Sequence, residues 1–154
     1  MTKLPEFEKT IEDLIFDAYE ADQYVGGRQH MGASGIGRPC ERQVWLSFRH
    51  VLTVRFEGRT LRLFKTGDHE EPRMVGDLRR IGCTVLDVDP NTGRQWQVRD
   101  QTGHFGGSMD GIVKGGPLPS PEWHLVEFKT HNAASFRKLQ REGVEKSKPE
   151  HYDQ

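Results

Sequence analysis

Asp110, Glu127 and Lys129 are the residues whose types and spacing point most directly to chemistry. Asp110 lies in a short strand-like run from Ser108 to Lys114, and Glu127 and Lys129 lie in a second run from Trp123 to Lys129. Alternate residues of a strand share a face. Glu127 and Lys129 therefore point one way, and Val126 and Phe128 point the other, toward a core. Gly111 and the Gly115-Gly116-Pro117 cluster suit a hairpin-like return that sets Asp110 beside Glu127. Hard divalent cations such as Mg²⁺ or Mn²⁺ take oxygen ligands, and two carboxylates offset much of the ion's charge. A bound ion polarises a phosphate and acidifies a water nucleophile. A neighbouring lysine orients that water or neutralises charge in the transition state. The spacing points to metal-assisted phosphodiester cleavage; a solvated, charge-alternating sheet face is the alternative.

The hydrophobic pattern supplies the elements that must position these groups. Leu4, Phe7, Ile11, Leu14, Ile15, Ala18 and Tyr19 predict an amphipathic helix from Pro5 to Tyr24, ended by Val25-Gly26-Gly27. Cys40 to Phe48 predicts a second helix, with Val44, Trp45 and Phe48 packing and Cys40 a buried small side chain. Val51 to Arg62 alternates weakly, as a loop or short strand. Glu70 to Ile81 predicts a helix with Pro72 in its first turn and Met74, Val75, Leu78 and Ile81 buried. Gly82 caps it, and Cys83 to Val88 is a strand. Turns at Asp89 to Gly93 and Asp100 to Gly103 flank an exposed strand, Arg94 to Arg99. Asn132 to Glu142 predicts another helix, capped by Thr130 or Asn132. The sum is an α/β fold, a mixed central sheet flanked by helices, in one domain over residues 1–154.

The net charge of −1 gives no global attraction to nucleic acid, so a DNA partner must meet a local patch. Arg137, Lys138 and Arg141 form one basic face, with Lys146 and Lys148 beyond it. Ser34, Arg38 and Arg42, at a glycine-rich loop leading into a helix, form a second candidate phosphate contact. Solvated surface is the alternative for both. Two cysteines give neither a disulfide framework nor a CxxC pair, which fits a reducing, cytoplasmic compartment. The seven histidines are too scattered for a structural zinc site. No signal peptide or membrane-spanning run is visible, so no membrane partner is expected.

The pattern Gly107-x-x-Asp110-Gly111, then Glu127-x-Lys129-Thr130, resembles the core of the PD-(D/E)XK nucleases, with Met109 where a proline often stands. The resemblance is to RecB-like and phage lambda-exonuclease-like (YqaJ-type) members and covers residues 34–154. Ser34-x-x-Gly37-x-x-Cys40-x-Arg42, with Trp45 after it, resembles the opening segment of RecB-like exonucleases. Some of those use a cysteine here in an iron–sulfur cluster, which two cysteines exclude in this chain. Gly67-x-x-x-Glu71-Pro72 resembles a first-helix motif in which the glutamate lies over the metal, a role that falls to Glu71 ahead of His69. Pro149 to Gln154 resembles the start of a Gln-x-x-x-Tyr motif helix, with Gln154 as its glutamine. The motif's tyrosine would lie beyond the last residue, so a C-terminal truncation is expected.

The resemblance implies a restriction-endonuclease-like core and a Mg²⁺- or Mn²⁺-dependent deoxyribonuclease. It would be an exonuclease of phage recombination or DNA processing that leaves 5′-phosphates, in a bacterial or phage-infected cytoplasm. Asp110, Glu127 and Lys129 would be catalytic, and Glu71, Asp110, Glu127 and the Phe128 carbonyl would hold the ion. Ser34, Arg42, Arg137, Lys138, Arg141 and Gln154 would contact DNA. A single-strand annealing or recombination protein is an expected partner. A site-specific or structure-specific endonuclease and a non-catalytic DNA-binding relative are the alternatives.

Overall fold

A computed structural model of the chain describes residues 9–24, 26–27, 30–51 and 54–154. The fold is mixed α/β. Its frame is a long helix, α3 (Gly58–Arg80), followed by strands β2 (Cys83–Leu86), β5 (Gly111–Gly115) and β6 (His124–Val126). These strands form one antiparallel sheet in the order β2-β5-β6. Cys83 and Val85 alternate with exposed Thr84, so β2 turns one face inward, as period-two patterning requires. They meet Val75 of α3 and Val113 of β5 in the buried core, with Leu78, Leu118, Val126 and Phe128 packed around it. Fully burying a valine contributes about 1.5–3 kcal/mol. Gly82 ends α3 at φ 91°, a left-handed conformation that glycine adopts without a Cβ clash.

A second sheet has the order β1-β4-β3, where β1 is Met31–Gly32, β3 is Trp96–Arg99 and β4 is Phe105–Met109. The β1–β4 pair is parallel and the β3–β4 pair antiparallel. The described residues thus form two three-stranded sheets rather than the single central sheet expected. The division falls at Asp110: the run from Ser108 to Lys114 is not one strand but the end of β4 and most of β5. Gly111 pairs with Val126 in the other sheet and packs so closely on β2 that a Cβ there would stand 3.0 Å from the Leu86 carbonyl oxygen.

The helices differ from expectation in several places. α1 (Ile11–Ala21) starts at a Thr10–Asp13 capping box; the expected start at Pro5, with Leu4 and Phe7, lies outside the described residues. Ile11 and Leu14 are exposed, so only part of the apolar face is covered. α1 runs along α3, and Glu20 accepts the Gly58 N–H at 2.6 Å. α3 begins at Gly58, well before Glu70, and therefore takes up the end of the Val51–Arg62 stretch. Arginine and leucine are strong helix formers, and their alternation over residues 59–63 only mimics a strand. Pro72 consequently lies inside the helix, where no N–H is available to bond the Asp68 carbonyl. Ile81, past the helix end, is exposed rather than buried.

In α2 (Glu41–Phe48), Trp45 is exposed rather than packed. Cys40 is exposed as the N-cap rather than buried. α4 (Ala133–Ser147) is capped by Asn132, which accepts the Ser135 N–H at 2.8 Å, and breaks at Gly143. A short α5 (Pro149–Tyr152) follows. No helix among the described residues is long and apolar enough to cross a membrane.

Candidate active site

The β5–β6 register puts Gly111 opposite Val126, so Asp110 and Glu127 stand next to each other just beyond the last pair. Asp110 Oδ2 accepts the Phe128 backbone N–H at 2.7 Å, which fixes the carboxylate there. Glu127 Oε1 accepts from Lys129 Nζ and, at 2.7 Å, from Gln154 Nε2. Lys129 thus lies on the Glu127 side, while Val126 and Phe128 pack against the core. This is the division that alternation implies, although β6 itself ends at Val126.

Glu71 of α3 and Asp110 line one pocket of about 260 Å³, together with Pro72, Val75, Asp87 and Gln95. Burial, then the charges of Asp110, Asp68 and Glu127, hold the Glu71 carboxyl above the ordinary glutamate range; Lys129 opposes this. Asp110 is also raised, first by burial and then by Glu127, against the Phe128 hydrogen bond and Lys129. These side chains therefore feel one another's charge and are short of compensation. Oxygen donors carrying uncompensated negative charge suit a hard divalent cation. Among the described residues no three histidine, cysteine or acidic side chains already converge closely enough to clasp an ion. The chemistry of the donor set fits the ion.

Sequence reasoning missed Asp87 and Gln95. Asp87 follows β2, whose last pair is Leu86 with Ile112, so it reaches the same end of the sheet as Asp110. Its carboxylate is held by Arg79 at 2.9 Å. His131 and His151 were missed too. Their ring centroids are 5.8 Å apart, and His151 is lowered by burial and by Lys129, which sets this pair beside the site. His69 is exposed and does not line the pocket.

The expected DNA contacts divide. Gln154 is brought directly onto Glu127. Ser34 and Arg42 are exposed and line different hollows, with Arg38 lining both. The segment between them touches α5 at Gly37, where a Cβ would stand 2.8 Å from Glu150 Cα. On α4, Arg137, Lys138 and Arg141 are exposed, but Glu142 pairs with Lys138 at 3.9 Å and with Arg141 at 2.5 Å. That basic face is thus partly neutralised from within. Comparison of the chain with protein-family models, curated proteins and solved structures returns no match.

Proposed function

We propose that this chain is a Mg²⁺- or Mn²⁺-dependent deoxyribonuclease with a restriction-endonuclease-like core, acting as an exonuclease in phage recombination or DNA processing. One observation carries the reading: Asp110 and Glu127 meet at the end of neighbouring strands, with Lys129 on Glu127 and Glu71 across the pocket. Asp110, Glu127, Glu71 and the Phe128 carbonyl would hold the cation. When bound, it would polarise a phosphate oxygen and acidify a water. Lys129, now bonded to Glu127, would orient the water for in-line attack and balance charge on the phosphate. The products are a 3′-hydroxyl and a 5′-phosphate. Ser34, Arg42, Arg137, Lys138, Arg141 and Gln154 serve the DNA strand around this centre, and a single-strand annealing or recombination protein is the proposed partner.

End-labelled linear duplex incubated with Mg²⁺, with EDTA as control, tests the reading. Stepwise loss of label only with the metal is expected; no metal-dependent cleavage would leave a DNA-binding module in its place. A covalently closed circle separates the second enzyme reading, since an exonuclease leaves it intact and an endonuclease opens it.

A further inference from the structure

We infer that the groove beside α2 is a stacking platform for an unpaired DNA base, with Trp45 as the stacking face and Arg38 and Arg42 meeting the flanking phosphates. The inference rests on the DNA reading above and adds to it the strandedness of what binds. Trp45 is 59% exposed, a large apolar ring left in water. The groove around it is mainly apolar, lined also by Ile36, Val44 and Phe48, and encloses about 730 Å³. That is within the roughly 300–1,000 Å³ of small-ligand sites. Its charge comes from Arg38, Glu41 and Arg42, two cations against one carboxylate, so the groove is net positive in a chain of net charge −1.

A single-stranded nucleotide presents the matching chemistry: a flat apolar base beside an anionic phosphate. A base inside a duplex has both faces already stacked and none to offer an indole. A protein partner or a second copy could cover Trp45, but would also have to bring anions to the arginines. Among the described residues neither Arg38 nor Arg42 has an ion-pair partner. The groove also adjoins the candidate active site. Ile36 and Arg38 flank Gly37, which lies against Glu150 and Asp153, next to the Gln154 that bonds Glu127. The Ile36–Arg38 edge of the groove is thereby linked through α5 and Gln154 to Glu127.

The test is fluorescence anisotropy of a labelled oligothymidylate and of a blunt duplex with the full chain in EDTA. EDTA removes cleavage, so this result and the nuclease result stand or fall separately. Trp45→Ala should weaken oligothymidylate binding roughly tenfold, the loss of one base–aromatic stack. Trp45→Phe should stay within about threefold of the parent, because an aromatic face remains. Arg42→Gln should flatten the log affinity against log salt slope by about 0.7, one phosphate contact to a single strand. Duplex affinity should change little in Trp45→Ala. No oligothymidylate binding by the parent, unchanged binding in Trp45→Ala, or equal losses on duplex and single strand would each overturn the inference. So would light scattering in which Trp45→Ala converts a dimer to a monomer while oligothymidylate affinity holds.

Discussion

Asp110, one residue past the last pair of the β5–β6 ladder, accepts with its carboxylate the backbone N–H of Phe128, two residues past it, at 2.7 Å. This bond ties a side chain of one strand to the backbone of the next. It leaves Glu127, the residue between, beside Asp110 and in reach of Lys129. Backbone pairing seats the two residues at facing positions, where the Glu127 charge helps to hold the Asp110 carboxyl above its ordinary range. A bound cation would offset the repulsion between the two carboxylates.

The first prediction follows from that repulsion. Asp110→Asn keeps an oxygen to accept the Phe128 N–H but removes a half-buried charge, so its melting temperature in EDTA should equal or exceed the parent's. Saturating the parent with Mg²⁺ at a hundred times its Kd should add about 2.7 kcal/mol, roughly 5–10 °C for a chain of this size. At the same Mg²⁺ concentration that increment should fall to about half or less in Asp110→Asn, as a site at least tenfold weaker requires. Thermal melts with and without Mg²⁺ check both statements; a full increment in the variant contradicts them.

pH dependence carries the same signature. The folded-state carboxyls of Glu71 and Asp110 titrate above their ordinary values, so the folded chain binds more protons than the unfolded one across that window. Metal-free stability contributed by these groups therefore falls as pH rises from the ordinary carboxyl range, and the cost persists at neutral pH. Urea denaturation in EDTA at several pH values should show a gentler fall for Glu71→Gln and Asp110→Asn. An identical slope in parent and variants opposes the assignment.

Lys129→Ala should retain the fold, because the ammonium is partly exposed and lies outside the core. Cleavage should drop by at least about 10²-fold, the usual cost of removing a positioned group that acts in the transition state. Metal affinity should hold or tighten, since the ammonium competes with the cation for Glu127 Oε1. Glu127→Gln should lose both. Equal metal weakening in the two variants would mean that Lys129 only supports the fold.

Two glycines give opposite outcomes. At Gly37 a Cβ would meet backbone at Glu150, so Gly37→Ala must shift α5 or the loop. About 1–3 kcal/mol of destabilisation is expected, with faster amide exchange at residues 150–152. At Gly67, inside α3, the nearest atom to a Cβ is Thr130 Oγ1 at 3.7 Å, ordinary contact. Gly67→Ala should stabilise by about 0.5–1 kcal/mol through helix propensity. Denaturant midpoints decide both.

The meeting of Asp110 and Glu127 was legible because it depends on local signals: strand alternation and a glycine-rich return. The Val75, Cys83 and Val85 interior and the Gly82 cap were legible for the same reason. The split at Asp110 into two sheets was not, because strand partners are chosen by tertiary packing and the run from Ser108 to Lys114 carries no break signal except glycine. The first half of α3 was hidden by arginine–leucine alternation that copies period two. The apolar face of α2 predicts a packed Trp45, yet Trp45 is exposed, because such a face does not say whether a neighbour covers it. Asp87, Gln95 and the His131–His151 pair come together only through long-range folding and left no spacing in the sequence.

Whether Asp110 and Glu127 share a cation is decided by Mn²⁺ titration by isothermal calorimetry on the parent, Asp110→Asn and Glu127→Gln. Saturable binding by the parent is expected, weakened by at least about tenfold in each variant, with all three chains equally folded by circular dichroism. Binding of equal strength in all three, or none in the parent, would contradict a cation site at Asp110 and Glu127.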